Sequence, residues 1–322
     1  MPDRPAHAPD LMIRTPVEVR FAWSYDPADP RLRSLYTRAK QGQWSADTDV
    51  DWSVDVPFGA QLGPGSAATA AAFASSPLAH RGRGLWDAFR WEWQAWMVSQ
   101  FLHGELGALV VAGRLVEAMP HVDAKFVAAS QAMDEARHVE VFSRYLREKV
   151  PAMYPVTPAL RALIGDIVTD ERWDITALGM QVMVEALAMA AFRLAETTFH
   201  DDLIKQIARL VARDEARHVS FGVLSLEGIY RDMTRAELAD REEMVLEAAS
   251  LTRRRFLLEE VWDRLDVPRR DGVEFARTNE TMVGYRRTVF SKVVAVLRGI
   301  GLLTGRVRAG LASLDLIDVA PR

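Results

Sequence analysis

Apolar residues return at helical spacing along most of this chain, and no stretch alternates long enough to require a sheet. Trp86 to Glu117 contains no proline. Within it Trp91, Gln94, Val98, Phe101, Glu105, Ala108, Leu109 and Ala112 fall on one helical stripe, and Pro120 ends the run. A second helix is predicted from Val122 to Lys149, stopping before Pro151, and Pro155 and Pro158 mark a crossover. A third runs from Asp174 to Phe199. The polar turn His200-Asp201-Asp202 leads into a fourth that reaches Tyr230. Thr234–Leu265 and Val273–Leu303 read as further helices around a break at Pro268, and Gly305 to Arg322 is short and mixed.

Upstream of these helices the pattern is weaker. Residues 1–20 are polar and proline-bearing and are expected to form a mobile arm. A short helix is expected around Asp29–Gln43, and Gly59 to Ser76 reads as an irregular Gly/Ala/Ser connector. The expectation is an all-α chain forming a single domain: arm and connector over 1–84, a four-helix core over 85–230, and C-terminal helices over 231–322.

Composition narrows the function classes. A net charge of −4 gives no electrostatic case for nucleic acid or an anionic membrane. With 0 cysteines there is no disulfide frame, iron–sulfur cluster or thiol chemistry. The start of the chain lacks the basic-then-apolar layout of a secretory signal, so a cytoplasmic protein is expected. The most apolar run, Ala177 to Phe192, is shorter than a bilayer span and carries Gln181 and Glu185. It reads as a buried helix, so no membrane is expected. The acidic Asp47-Thr48-Asp49-Val50-Asp51 lacks the glycine and terminal glutamate of a calcium loop and reads as a solvated turn.

The chemistry lies in a stretch that occurs twice. Asp134-Glu135-Ala136-Arg137-His138 returns 80 residues later as Asp214-Glu215-Ala216-Arg217-His218, each with a glutamate 30 residues before its own, Glu105 and Glu185. Glu105 lies 15 residues before Pro120 and Glu135 lies 15 after it, and Glu185 and Glu215 flank His200 in the same way. In antiparallel helices rising about 1.5 Å per residue, the members of each pair stand level, roughly 22 Å from their turn. Two such hairpins side by side bring four glutamates into one layer, with His138 and His218 on the same face at i+3. One Glu from each of two helices and Glu-x-x-His from each of the other two is the constellation of a dinuclear carboxylate site in a helical bundle. Four carboxylates offset the charge of two metal ions and can bridge them, and an oxygen-rich set favours iron or manganese over zinc. Asp134 and Asp214 are expected to accept the other ring N–H of the histidines across the bundle, with Arg137 and Arg217 neutralising them.

Elsewhere structural readings win. Trp86, Trp91, Trp93 and Trp96 read as core packing, Glu196 and His200 as a surface pair, and His103 and His121 as isolated.

These residues resemble the ferritin-like di-iron carboxylate superfamily over roughly residues 86–230, and its oxygenase and oxidase branch most closely. That branch holds the ribonucleotide reductase small subunit, the multicomponent monooxygenase hydroxylases, acyl-carrier-protein desaturases and p-aminobenzoate N-oxygenase. The stretch Gln100 to Leu146 is similar to aminobenzoate-oxygenase-like proteins. The resemblance implies a ferritin-like bundle whose metal ligands, and catalytic residues, are Glu105, Glu135, His138, Glu185, Glu215 and His218. Several auxiliary positions differ. Phe142 stands where the reductase subunit carries its radical tyrosine, with Tyr145 nearby. Met189 replaces the monooxygenase threonine, Val211 replaces the extra histidine of the N-oxygenase, and Met180 and Gly107 replace the tyrosine and valine crosslinked in ligand-binding oxidases.

The expected function is therefore a di-iron oxygenase or oxidase with dioxygen as co-substrate, acting on a small, largely apolar organic molecule. The same ligands admit manganese or a mixed Mn/Fe pair. A radical-generating subunit and an iron-storage ferroxidase are the alternatives. With no flavin motif and no cysteine, electrons must come from a separate reductase or ferredoxin, or from the substrate. A homodimer is expected. Phe101, Ala108, Phe142, Met189 and Phe192 are the expected pocket-lining residues.

Overall fold

The computed structural model describes residues 12–15, 19–21, 23–27, 29–63, 65 and 67–318. Most of the expected N-terminal arm lies outside the described residues. Among those described there are helices and no strands, as the apolar spacing requires.

Two long hairpins form the centre. In the first, α3 (Gly82–Ala118) packs antiparallel against α4 (Val122–Lys149). In the second, α6 (Trp173–Ala177), a π-helical segment (Leu178–Glu185) and α7 (Ala186–Thr198) make one continuous helix that returns as α8 (Asp202–Leu226). Its turn is held by Asp201, whose side chain accepts from the Ile204 amide at 2.9 Å and so caps α8. That carboxylate also accepts from the Tyr145 hydroxyl at 2.7 Å and from Gln94 Nε2 at 2.8 Å, which ties the second turn to the first hairpin. Tyr145 is thus committed to this structural network.

The helix Trp173–Thr198 is long and apolar enough to cross a membrane by length and composition, but 78% of its most apolar window is buried inside the fold. Its close packing needs small residues. A Cβ on Gly179 would stand 2.5 Å from Ile167, and one on Gly222 would stand 2.5 Å from the Gln181 Cβ. Gly222 therefore lets α8 approach the π segment and seats Gln181 in the core.

The remaining helices wrap the centre. α1 (Pro30–Gln41), capped by Asp29, lies on α4 and α8, and α2 (Ala67–Ala74) touches a C-terminal helix. The expected crossover after Pro155 holds a helix, α5 (Pro158–Thr169), started by the Thr157 cap and Pro158. The single helix expected over Thr234–Leu265 is two, α9 (Arg235–Arg255) and α10 (Glu259–Arg264). They are split at Leu258, which takes a left-handed φ of 56° and buries its side chain completely. Val273–Leu303 is likewise divided by Asn279, which ends α11 (Arg269–Thr278) and caps α12 (Glu280–Gly299), and α13 (Gly305–Ser313) follows. In both cases the apolar period continues through a corner, because the core is met on both sides of the bend.

Candidate metal centre

Each of the four core helices delivers one glutamate to the same level, and all four are buried, as are both histidines. Donor atoms of Glu105, Glu135, His138 and Glu215 lie within 4.8 Å of one another, and so do those of Glu135, Glu185 and His218. Around His138, Nδ1 stands 3.4 Å from Glu105, 3.1 Å from Glu135 and 3.5 Å from Glu215. Around His218, Nδ1 stands 3.1 Å from Glu135, 4.0 Å from Glu185 and 3.7 Å from Glu215. Glu135 and Glu215 thus face both imidazoles, whereas Glu105 sits on the His138 side and Glu185 on the His218 side. This is the geometry of two adjacent cation positions with two carboxylates between them and one at each end.

The far sides of the rings are held crosswise. His138 Nε2 lies 3.2 Å from Asp214, and His218 Nε2 lies 3.3 Å from Asp134. Arg137 donates to Asp134 at 2.6 Å and to Asp214 at 2.8 Å, and Arg217 donates to the same two aspartates at 2.9 and 2.8 Å. Burial opposes the charge on Asp134, yet His218 and Arg217 hold its carboxyl down to about 2. Asp214 is likewise held low against burial, by His138 and both arginines. With Nε2 occupied in this way, Nδ1 of each ring is left to face the carboxylates.

The electrostatics of the layer call for cations. Burial pushes the Glu105 and Glu185 carboxyls well above their usual range, and the neighbouring Glu215 and Glu135 push them further. Burial works against charged imidazoles, yet the surrounding carboxylates hold His138 and His218 well above the normal histidine range. Glu185 Oε2, both Glu215 oxygens and His218 Nδ1 have no hydrogen-bond partner although buried. Orphaned donors of this kind, converging from four helices, fit a pair of metal ions.

Residues outside the repeated motif complete the site. Gln131, one turn before Glu135, donates to Glu135 at 3.1 Å and to Glu185 at 2.6 Å, and accepts from Gln181 at 3.2 Å. Its only signal in the sequence is a polar residue on a buried face. Trp44 donates its indole N–H to Asp214 at 2.7 Å and lies under the Arg137 guanidinium, 4.7 Å from its centre. Gln43 donates to Asp134 at 3.1 Å. Glu185 closes the π segment, whose wider turn sets the helix phase at which this carboxylate enters the layer.

A cavity opens directly on Glu105, Glu185 and Glu215. Of the expected lining residues, Phe101 and Ala108 are on its wall. Phe142 and Phe192 stand behind Phe101 in a three-ring cluster with centroids 4.5 to 5.9 Å apart. Met189 is displaced by its neighbour Ala188, and Arg255 is an unforeseen member of the wall. His200 is no partner of Glu196: its ring packs edge-on against Trp91, while Glu196 pairs with Arg193 at 3.2 Å. Val211, fully buried, offers the layer no donor.

Fold and site together define a dinuclear-metal oxygenase or oxidase of the ferritin-like superfamily; the radical-subunit and iron-storage alternatives are not favoured. The family model P-aminobenzoate N-oxygenase AurF matches residues 109–301, more than half of the chain, and the chain belongs to that family. Of the six residues singled out as ligands, all but Glu105 lie within the match. A comparison with curated proteins gave no match. Among solved structures, an R2-like ligand-binding oxidase with aerobically reconstituted Mn/Fe cofactor is similar at 16% identity, covering 91% of this chain and 94% of that one with a TM-score of 0.44. A second R2-like ligand-binding oxidase, with its metal cofactor after photoconversion, is 16% identical, covering 91% and 95% with a TM-score of 0.43.

Proposed function

We propose that Glu105, Glu135, His138, Glu185, Glu215 and His218 hold two iron ions, and that the chain uses dioxygen to oxidise a small, largely apolar organic substrate. The observation that carries this is the placement of Glu135 and Glu215 between two imidazoles whose Nδ1 atoms both face the carboxylate layer. Glu135 and Glu215, which face both imidazoles, would hold the ions together with Glu105 on the His138 side and Glu185 on the His218 side, and each histidine would hold one ion. When bound, the ions supply the electrons and Lewis acidity that activate dioxygen.

The protein's part is to position and to exclude. Asp134 and Asp214 fix the imidazole orientation, Gln131 fixes two of the carboxylates, and the Phe101–Phe142–Phe192 cluster keeps water from the cavity. Insertion of one oxygen atom into a C–H or N–H bond leaves the other as water, which takes two electrons and two protons per turnover. A separate reductase or ferredoxin supplies the electrons. The family's name makes oxidation of an aromatic amine the first reaction to test, ahead of C-hydroxylation and desaturation. Residues 85–230 serve as the metal-binding core of a single unit with 1–84 and 231–322, acting as a cytoplasmic homodimer.

The test is metal analysis after anaerobic loading with ferrous iron, followed by dioxygen and a chemical reductant with a panel of arylamines. Two irons per chain, lost in Glu185→Ala and His218→Ala, with dioxygen consumed in step with an oxygenated product, is the expected result. Unchanged stoichiometry in both variants would remove the ligand assignment. Growth of an iron core far beyond two per chain would replace it with storage.

A further inference from the structure

The void beside the metal layer is too small to hold a substrate by itself. Its volume is about 50 Å³, whereas pockets for small organic molecules run to about 300–1,000 Å³. A second cavity, of about 590 Å³, lies where the second hairpin turns. The two voids share one face of α3. Arg90, Trp93 and Met97 line the larger, and Phe101, Gly104 and Ala108 line the smaller. Each follows the last by three or four residues, so all six stand in a single helical stripe. The facing helix repeats the arrangement, with Val184 and Ala188 at the smaller void and Ala195 and Thr198 at the larger.

Between the two levels stand aromatic rings. Phe101 meets Phe192 with centroids 4.5 Å apart, and Phe192 falls between Ala188 and Ala195 on α7. On the third side Tyr285 of α12 lines the larger cavity and points its hydroxyl at the Met97 sulfur, 3.7 Å away. Polar groups gather at the far end. Arg90 donates to the Gly63 carbonyl at 2.7 Å and stands 3.6 Å from Asp87, which offsets its charge. Burial, with Arg90 close by, lowers the pKa of His200 to about 4, so that ring is neutral at pH 7. Thr198 and Thr281 add hydroxyls. This wall offers hydrogen bonds without an unbalanced charge, which suits a neutral polar group.

We propose that the larger cavity seats the body of the substrate, an elongated neutral molecule whose apolar reacting end passes Phe101 to the metal layer. The inference rests on the reading of the metal site given above. Met97 precedes Glu105 by eight residues, about 12 Å of helix rise, so a molecule that reaches both is longer than one aromatic ring. Phe101 is half-buried, whereas Phe142 and Phe192 are fully enclosed. Phe101 is therefore the ring that turns aside. Closed, it separates the larger cavity from the metal layer. Displaced by the end of the substrate, it admits a narrow group and refuses a broad one. Length adds contact in the far cavity, and width is limited at the ring.

The test titrates iron-loaded protein calorimetrically with para-aminoacetanilide and with its hexanoyl analogue, which has four more methylenes. The wild type is expected to bind the longer amide about 10- to 100-fold more tightly. Thr198→Trp, a change at an exposed position of the far wall, abolishes that preference with its melting temperature and two irons per chain retained. Methyl groups on both carbons flanking the amine of the longer amide weaken its binding to the wild type about 10-fold, and Phe101→Ala removes the difference. Equal binding of the short and long amides by the wild type, or an undiminished preference in Thr198→Trp, overturns the cavity assignment. A width penalty that persists in Phe101→Ala overturns the passage. Replacing the terminal methyl of the longer amide by a carboxylate should weaken binding, and tighter binding of that acid overturns the neutral class. Iron stoichiometry reports separately on the metal reading. A protein that fails to load iron, while its length preference still vanishes in Thr198→Trp, would sink the metal site and leave the cavity assignment standing.

Discussion

Asp214 holds a histidine that is not its own: its Oδ2 lies 3.2 Å from His138 Nε2, although it shares a helix with His218. The reciprocal contact joins Asp134 to His218 at 3.3 Å. Each half of the repeated motif therefore orients the imidazole of the other half, and neither hairpin has a complete site without its partner.

This exchange gives the first prediction. Asp214→Asn keeps the shape but can present an amide N–H to His138, which favours the wrong ring tautomer. Metal affinity is expected to fall about 10- to 100-fold, in the range seen for partners of metal-bound histidines. Competition with a chromophoric chelator measures it, and an unchanged affinity would dismiss the orienting role.

Gln131 reaches two of the glutamates at once. In Gln131→Leu both lose their amide donor, and Gln181 loses its acceptor. The weaker-binding of the two irons is expected to dissociate about 10-fold more readily, with helix content unchanged by circular dichroism. If both irons bind as in the wild type, the amide only fills space.

Metal should stabilise the whole chain, because four buried carboxylates converge on one layer and several of their oxygens have no hydrogen-bond partner. Ligand at about 100 times its dissociation constant adds about 2.7 kcal/mol to the folded state. For a protein of this size that is a rise of several degrees in Tm. Scanning calorimetry with and without ferrous iron under argon reads it. Glu185→Ala should lose most of the increment, and an increment of wild-type size there would count against this ligand.

His200 predicts a pH dependence away from the metals. Burial, with Arg90 close by, lowers its pKa to about 4 from a model-peptide value near 6.5. Lys205 also opposes its protonation, and Asp87 favours it. The unfolded chain then binds this proton before the folded chain does. The contribution is complete above about pH 6.5 and is lost as pH falls toward 4, amounting to roughly 2 kcal/mol after allowance for partial exposure. Urea midpoints at pH 7 and pH 5 should separate more for the wild type than for His200→Gln. Equal separations would place the histidine in water.

Much of this was legible along the chain. The four core helices follow from a 3.6-residue apolar period interrupted at Pro120, Pro151 and the polar turn at His200. The convergence of Glu105, Glu135, Glu185 and Glu215 follows from equal distances to the two turns, because helix rise is constant. The Asp134 and Asp214 contacts could be anticipated because two like hairpins facing each other place equivalent residues across the bundle.

Other features needed the tertiary structure. Trp44 stands 170 residues from the Asp214 it donates to, and no local spacing relates them. The π-helical turn before Glu185 leaves the apolar pattern of that helix intact, so periodicity cannot reveal it. The corners at Leu258 and Asn279 are equally silent, since a core that wraps a bend keeps both sides apolar. Arg255 ends α9, and only the fold brings it to the wall of the cavity beside Glu105, Glu185 and Glu215. Sequence determines contacts made within a helix or across a regular hairpin, where rise and period are set by the backbone. Contacts between elements joined by long connections depend on how whole faces pack, and that was decided by the assembled core.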